Sequence, residues 1–336
     1  MPRALPLLLL LAMLAPGASP SAAAAGELPI TGPLRVVNAY PLILPFLVLP
    51  AEGPEALDPG RLALSVGAAY GNAFHWDPMV LYPDLDVLID AEVLKLSLSA
   101  ALGLAGGFSM EAGLSLIAEY GGFLDPVLQG IHSLFWLPNG DRELQPANRY
   151  AFRVVRGGEA LVDLDEPFGA FGDLVLTAKW TIRDGQAGGF GAALQAALSL
   201  PVGSVRHFTS SGMLGAGFGA LASWRRSAFA AFAGLRYLLL GEPSWAEVLG
   251  FRPHNLDFFA CLEWAPKRVA WLLQADGMTL PYRHPHPWLS SLSGTISFGA
   301  RLRLSPKVLM EMHLSEELWS FANLDIAAGC TARMAL

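Results

Sequence analysis

Along residues 291–304, SLSGTISFGARLRL, apolar and polar positions alternate. Leu292, Ile296, Phe298, Ala300, Leu302 and Leu304 fall on one face; Ser293, Thr295, Ser297, Arg301 and Arg303 fall on the other. A period of two is the mark of a strand with one face in an apolar medium and the other in a polar one. In 171–183, Leu174, Leu176, Ala178, Trp180 and Ile182 oppose Val175, Thr177, Lys179, Thr181 and Arg183. In 307–317, Val308, Met310, Met312 and Leu314 oppose Glu311, His313 and Ser315. Weaker versions cover 61–72, 87–104, 107–120, 188–200, 212–224, 227–240, 255–265, 268–279 and 323–336, making twelve segments. An even number of alternating stretches of about ten residues predicts an outer-membrane barrel.

The connections agree. Those after segments 2, 4, 6, 8 and 10 are AGG, DGQAG, RR, APKR and SPK; the intervening ones run from about ten residues to about fifty. Barrels of this class have short periplasmic turns and long outer loops, so both ends of the barrel chain are expected in the periplasm. Crossing RR moves the oily face from even to odd positions, from Trp224 to Phe229, as a two-residue hairpin requires. Trp180, Trp224 and Trp264 lie on the oily face near the short turns, and Tyr70, Tyr120 and Tyr237 near the long loops. Two aromatic girdles match two lipid interfaces. The predicted fold is an all-β, closed antiparallel transmembrane barrel of about 12 strands. Fourteen become possible if YAFRVVRGGEALVDLD, which reads as a short hairpin with Arg153 facing Asp163, enters the wall.

Composition narrows the medium. The 336 residues are 53% hydrophobic and 15% charged, with a mean hydropathy of +0.42, against about 25% charged in an ordinary soluble domain. The apolar stretches 94–118 and 212–240 are broken by Lys95, Glu111, Arg225 and Arg226, so they do not form the charge-free spans of about twenty residues that helical crossing needs. Residues 1–25 read as a secretory signal peptide, with Arg3, an apolar core from Leu5 to Leu14, and small residues around the cleavage site. Residues 26–60 are then a periplasmic N-terminal segment, and 61–336 the barrel, with a long outer loop at 121–170. Cys261 and Cys330 fall on non-neighbouring strands with opposite facings, so no disulfide is expected. With 29 acidic against 22 basic residues, nucleic acid is not an expected partner. Outer-membrane lipid, lipopolysaccharide and the barrel-assembly machinery are, together with small solutes if the lumen is open.

The lumen side carries charge. Lys95, Glu111, Glu119, Lys179, Arg236, Asp257, Arg301, Arg303, Glu311 and His313 face inward on the alternation. Expected cross-strand pairs are Arg301 with Glu311, Arg236 with Asp257, and Lys179 with Glu111 or Glu119. Gly113, Gly191, Gly215, Gly217 and Gly219 leave room for long side chains opposite. Such a lumen is either a narrow mixed-charge pore or a filled interior. His75, His132, His207, His254, His284 and His286 are placed in outer loops, without the fixed spacing a metal site needs. No cofactor or metal is expected. His313, Ser297 and Glu311 share the lumen side of neighbouring strands, but no Gly-x-Ser-x-Gly elbow accompanies them. The expected activity is a passive pore or small-solute channel. The alternatives are a closed structural or surface-interaction barrel and, behind it, an outer-membrane lipid-modifying enzyme.

One stretch stands apart from this Leu-, Ala- and Gly-rich background. HSLFWLPNGDRELQPANR, residues 132–149, holds a Pro-initiated Asn-Gly turn, with His132, Pro138, Asn139, Gly140, Arg142 and Asn148 as its polar and turn-forming residues. This block resembles a motif of an uncharacterised bacterial outer-membrane family, domain of unknown function 3187. NAYPLILPF, residues 38–46, and GAFGDLVL, residues 169–176, are similar to its other signature stretches. Trp136 and Asp141 stand where that pattern has glycine, and the last residue is Leu336 rather than an aromatic. The resemblance covers most of the chain and implies a location and a fold, with no activity attached.

Overall fold

The computed structural model describes residues 28, 31–136, 141–186, 188–286, 289, 292–318 and 323–336. The expected signal peptide, 1–25, lies outside them. The barrel wall begins with β1 (Leu62–Pro78), β2 (Leu85–Gly103) and β3 (Phe108–Tyr120). It continues through β7 (Leu174–Arg183), β8 (Gly189–Leu200), β9 (Gly215–Arg226), β10 (Phe229–Leu240) and β11 (His254–Trp264). β12 (Val269–Thr279), β13 (Leu292–Ser305), β14 (Val308–Glu317) and β15 (Ile326–Ala335) complete it. Each strand runs antiparallel to the next, and β1 pairs with β15 from Ala63↔Ala335 to Asn72↔Ile326, so the sheet closes on itself with twelve strands.

Each of the twelve segments expected from the alternation forms a wall strand. At the turn after β9 the register differs: the pairing Arg226↔Phe229 puts Ser227 and Ala228 in the turn, not the two arginines. Ser227 takes the left-handed conformation (φ 54°), and Arg225 turns into the lumen to pair with Glu55 at 2.7 Å. The parity switch survives because the turn still has two residues. β1 is also longer than the expected 61–72, at 17 residues, and β2 starts two residues earlier than expected, at Leu85, so six residues, 79–84, connect them.

The start of β2 settles the strand number. β4 (Ala151–Arg156) pairs with β2 only over Leu85–Asp90, and β5 (Glu159–Leu164) pairs with β4. A crossing strand needs about 9–11 residues; β4 and β5 have six each, so they form a hairpin standing on the end of the wall. Within it Arg153 sits opposite Asp163, as its sequence suggests, but its guanidinium pairs with Asp86 at 3.2 Å. β6 (Phe168–Phe171) continues into β7 across a bulge at Gly172–Asp173, both arms pairing with β3. Among the described residues the connections hold α1 (Leu124–Phe135) and the single turn α2 (Ala246–Leu249).

Facing follows the alternation. Phe298 is 58% exposed on the outside, whereas Ser297 is fully buried inside, its hydroxyl 2.7 Å from that of Ser315. Rings stack along the outer surface, Phe108 on Trp180, Phe229 on Trp264 and Trp271 on Phe298. Cys261 is buried on the inside and Cys330 lies on the outward face; both are free thiols. Replacing Phe298 by Arg is expected to cost about 2–4 kcal/mol of folding free energy in a bilayer, with Phe298→Leu as the control. Urea unfolding in vesicles reads the difference, and equal stabilities would mean that Phe298 does not face lipid.

Candidate channel lumen

The interior is occupied by the chain's own N-terminal segment. The segment expected in the periplasm lies inside instead: Leu28 stands at the short-turn end, and residues 31–57 climb to the long-loop end, turn and descend to β1. Leu28 accepts a hydrogen bond from Arg303 Nη2 (3.0 Å) and donates one to Pro306 O (3.1 Å). Higher up, Leu34 N donates to Gln274 Oε1 (2.8 Å) and Asn38 Nδ2 to Ser293 Oγ (2.9 Å). Residues 38–46, NAYPLILPF, form the tip. There the Tyr40 ring meets His75 edge-on at 5.4 Å, and Leu42 O accepts from Tyr282 Oη (2.8 Å). The descending arm is held at Leu49 O and Pro50 O by Arg236 and at Pro54 O by Thr181.

This placement has a physical cause. Residues 33–51, PLRVVNAYPLILPFLVLPA, are almost wholly apolar, and an apolar tether left in water forfeits about 25 cal/mol for each Å² it could bury. Leu34, Val36 and Ala51 join Leu221, Phe232, Phe259 and Leu272 in one core inside the barrel. At the long-loop end Tyr40, Leu42 and Phe46 join Phe152 of β4, Phe208, Phe251 and Tyr282 in a second. The lumen glycines give the strap its room: a Cβ at Gly217 would lie 3.1 Å from Leu238 and 3.4 Å from Leu47, and one at Gly299 only 2.7 Å from Leu34. The four prolines in that stretch withhold backbone donors where the strap has no strand partner.

The strap also rewires the lumen charges. Arg301 pairs with Glu311 (2.6 Å), as expected, and with Glu263 (3.1 Å), while donating to Gly32 O and Pro33 O. Arg236 pairs with Asp257 (2.5 Å), as expected, and the missing side chain of Gly219 makes space for its stem. The expected Lys179 pairing with Glu111 or Glu119 does not form. Lys179 reaches Glu52 and Gly53 O on the strap, and Glu111 binds Arg35 (2.5 Å). Glu119 accepts from Tyr150 Oη at 3.1 Å. Sequence reasoning missed Arg35, Glu52 and Glu55 because it put their segment outside; the apolar run around them was the available signal.

Two cavities remain on one side of the lumen. A cavity of about 150 Å³ is lined by Asn38, Lys95, Ser97, Asp173, Gln195 and His313, among others. A second, of about 80 Å³, lies nearer the short turns, against Leu57, Ser109, Lys179 and Arg333. Both are bounded by the same five residues, Arg35, Glu52, Glu111, Thr177 and Thr331. The Arg35–Glu111 pair therefore stands between them as a constriction. The His313 ring lies against Gly329, where a Cβ would come within 2.2 Å of it.

The signature stretches have structural work of their own. In GAFGDLVL, the bulge turns Asp173 toward Gly203 N (3.1 Å) and Ser199 Oγ (3.4 Å), while Thr209 donates to Phe171 O (2.7 Å). These bonds tie the loop 201–214 to the wall. In the polar block, Arg142 is buried between Asp125 (2.5 Å) and Asp325, with its guanidinium 4.6 Å over Phe74. Burial pushes the Asp325 carboxyl up to about 7, with Arg142 acting in the other direction. Asn148 N donates to Asp125 Oδ2 (2.7 Å). His132 is half-buried near the end of α1; Pro138, Asn139 and Gly140 lie outside the described residues. Trp136 and Asp141, the two positions where the resembled motif has glycine, both take left-handed backbone, φ 54° and 63°, which glycine adopts without steric cost. Two of the loop-assigned histidines lie on strands, His75 on β1 and His254 on β11. His284 stays in its loop, where burial lowers its pKa.

A family model described as a protein of unknown function, DUF3187, matches residues 8–335. The chain belongs to DUF3187. No curated protein matches its sequence. Among solved structures, this DUF3187 barrel is similar to the COG4313 outer membrane channel from Pseudomonas putida F1, with a TM-score of 0.54 and 10% identity over 84% of this chain and 97% of that one. The NanC porin aligns with a TM-score of 0.45 and 9% identity over 81% of this chain and 98% of the porin. At these identities the likeness is one of fold, and the fold is that of outer-membrane barrels.

Proposed function

We propose that this DUF3187 protein is an outer-membrane channel for small polar solutes, with its short turns in the periplasm and its path running beside the strap. One observation carries the reading: two cavities meet the same five residues from opposite sides, on the part of the lumen the strap leaves free. The path carries charges of both signs, with Lys95, Lys179 and Arg333 against Glu52, Glu111 and Asp173. It suits small hydrated solutes better than apolar ones. An export signal at 1–25, a surround of outer-membrane lipid and lipopolysaccharide, and insertion by the barrel-assembly machinery belong to the same proposal. The lipid-modifying alternative gains nothing from the lumen hydroxyls, since Ser297 bonds to Ser315 rather than to His313. The fold shared with a solved outer membrane channel supports the pore.

Single-channel recording in planar bilayers tests this. The wild type is expected to show small steps, set by the Arg35–Glu111 constriction. Arg35→Ala should widen it and raise cation preference, because Glu111 then lines the narrows without its counter-charge. If neither form conducts, and liposomes carrying them do not swell in small sugars or amino acids, the closed structural barrel replaces this reading.

A further inference from the structure

Helix α1 shows the surroundings the wrong face for a helix in water. It packs on the outside of the wall through buried Asp125 and Leu128. Its open side carries Pro126, Val127 (49% exposed), Gly130, Ser133 and Leu134 (69% exposed), with Phe123 (61%) just before it and Trp136 (92%) just after. No charged side chain stands on that stripe. A surface helix in water normally turns its charged and polar residues outward, and here the one carboxylate points in.

The stripe is continuous with the lipid-facing surface. Tyr70 of β1 stacks on Tyr120 of β3, the last residue before the connection to α1, and Tyr70 also stacks on Phe123 at 5.9 Å. These tyrosines mark the upper edge of the apolar band, where Tyr and Trp concentrate in membrane proteins. The helix is pinned at that height. Glu92 accepts from the backbone N–H of Phe123 (2.6 Å) and of Leu124, and Asp125 accepts from Asn72 and Arg142. Gly122, with φ 62°, lies so close to the Glu92 carboxylate that a Cβ there would displace it. At the other end Trp136 caps the helix in the left-handed conformation, its N–H bonded to His132 O. A bulky residue rarely takes that conformation, and here it presents an almost fully exposed indole.

We infer that α1 is an interfacial anchor, its Val127, Leu134 and Trp136 side seated among the acyl chains of the outer leaflet beside the barrel. The bound partner is a lipid surface, held by apolar burial in the manner of amphipathic helices that lie in the membrane plane. The inference needs the barrel to sit in a membrane and is independent of whether it conducts. One consequence is that residues 141–149 of the polar block are held at the bilayer surface rather than projecting into solvent.

The test places an environment-sensitive fluorophore on single cysteines, in a Cys330→Ala background that leaves Cys261 buried. Val127→Cys, Leu134→Cys and, as the wall-side control, Gln129→Cys are reconstituted in phosphatidylcholine vesicles with or without chain-labelled quencher lipid. Labels at 127 and 134 should emit to the blue and lose intensity with the quencher, while the label at 129 does neither. Aqueous emission at all three overturns the proposal. So does blue emission that the quencher lipid leaves unchanged and that grows with protein density, since a second copy of the chain would then be the cover. Val127→Glu with Leu134→Glu provides the check that does not depend on labelling. The barrel should still fold, shown by its heat-dependent gel mobility, while α1 becomes protease-accessible in intact vesicles. Unchanged protection in that variant counts against the anchor.

Discussion

Arg301→Ala is expected to destabilise the folded barrel by about 3–5 kcal/mol, the range for breaking a buried ion pair from one side. Arg301 is 6% exposed and neutralises two carboxylates, Glu311 at 5% and Glu263 at 2% exposure. It also donates to two strap carbonyls, so its loss strands two buried acids and loosens Gly32 and Pro33 together. Glu263 Oε1 already lacks a hydrogen-bond partner, so this acid depends on Arg301 and on the Gly32 N–H bonded to its other oxygen. Equilibrium urea unfolding in vesicles reads the change. The combination Arg301→Met, Glu263→Gln, Glu311→Gln should recover most of it, because no uncompensated charge remains. A cost under about 1 kcal/mol, the exposed-pair range, would show that the lumen at this depth is wet and the pairing incidental.

Removing the strap should have the largest effect on permeation. Both of its ends lie at the short-turn side, Leu28 against Pro306, and Gly60 and Arg61 against Gly103, so deletion of residues 28–57 leaves β1 free to start where it does. The emptied barrel is expected to conduct on the order of tenfold more than the wild type, as an unplugged lumen of this strand number admits water and ions along its length. Arg236, Lys179 and Arg225 would then line that lumen without their strap partners, and selectivity should move toward anions. The deletion also costs stability, so the measurement is made on protein shown to be folded by its strand circular dichroism. Unchanged conductance in a folded deletion variant would mean that the strap does not limit the path.

The wall was legible from residue order alone. Lipid on one side and the lumen on the other impose a period of two, visible in SLSGTISFGARLRL without neighbours, and turn length carries that parity from strand to strand. Twelve strands, their facing, the aromatic girdles and the pairs Arg301–Glu311 and Arg236–Asp257 all follow from such local information. Misplaced turn residues after β9 show its limit, since Arg225 is drawn inward by Glu55, about 170 positions away in the chain. The far end of β1 and the start of β2 were hidden for a related reason. Near the long-loop end both faces of these strands are buried, Ala73 and His75 toward the strap and Asn72 and Phe74 under the polar block, so alternation fades there.

What fills the barrel could only be decided in three dimensions. The run PLRVVNAYPLILPFLVLPA has no repeat of its own, and its apolar character says that it must be buried without saying where. Its place is set by surfaces drawn from many strands at once: lumen glycines on β9 and β13, carbonyl-seeking arginines on β10 and β13, and the aromatic roof under the long loops. By residue order alone, then, this chain specifies a closed barrel with an oily exterior and a charged interior, because those features repeat along each strand. Whether its charges line an open pore or grip a strap depends on contacts between residues hundreds of positions apart, and those exist only once the barrel has closed.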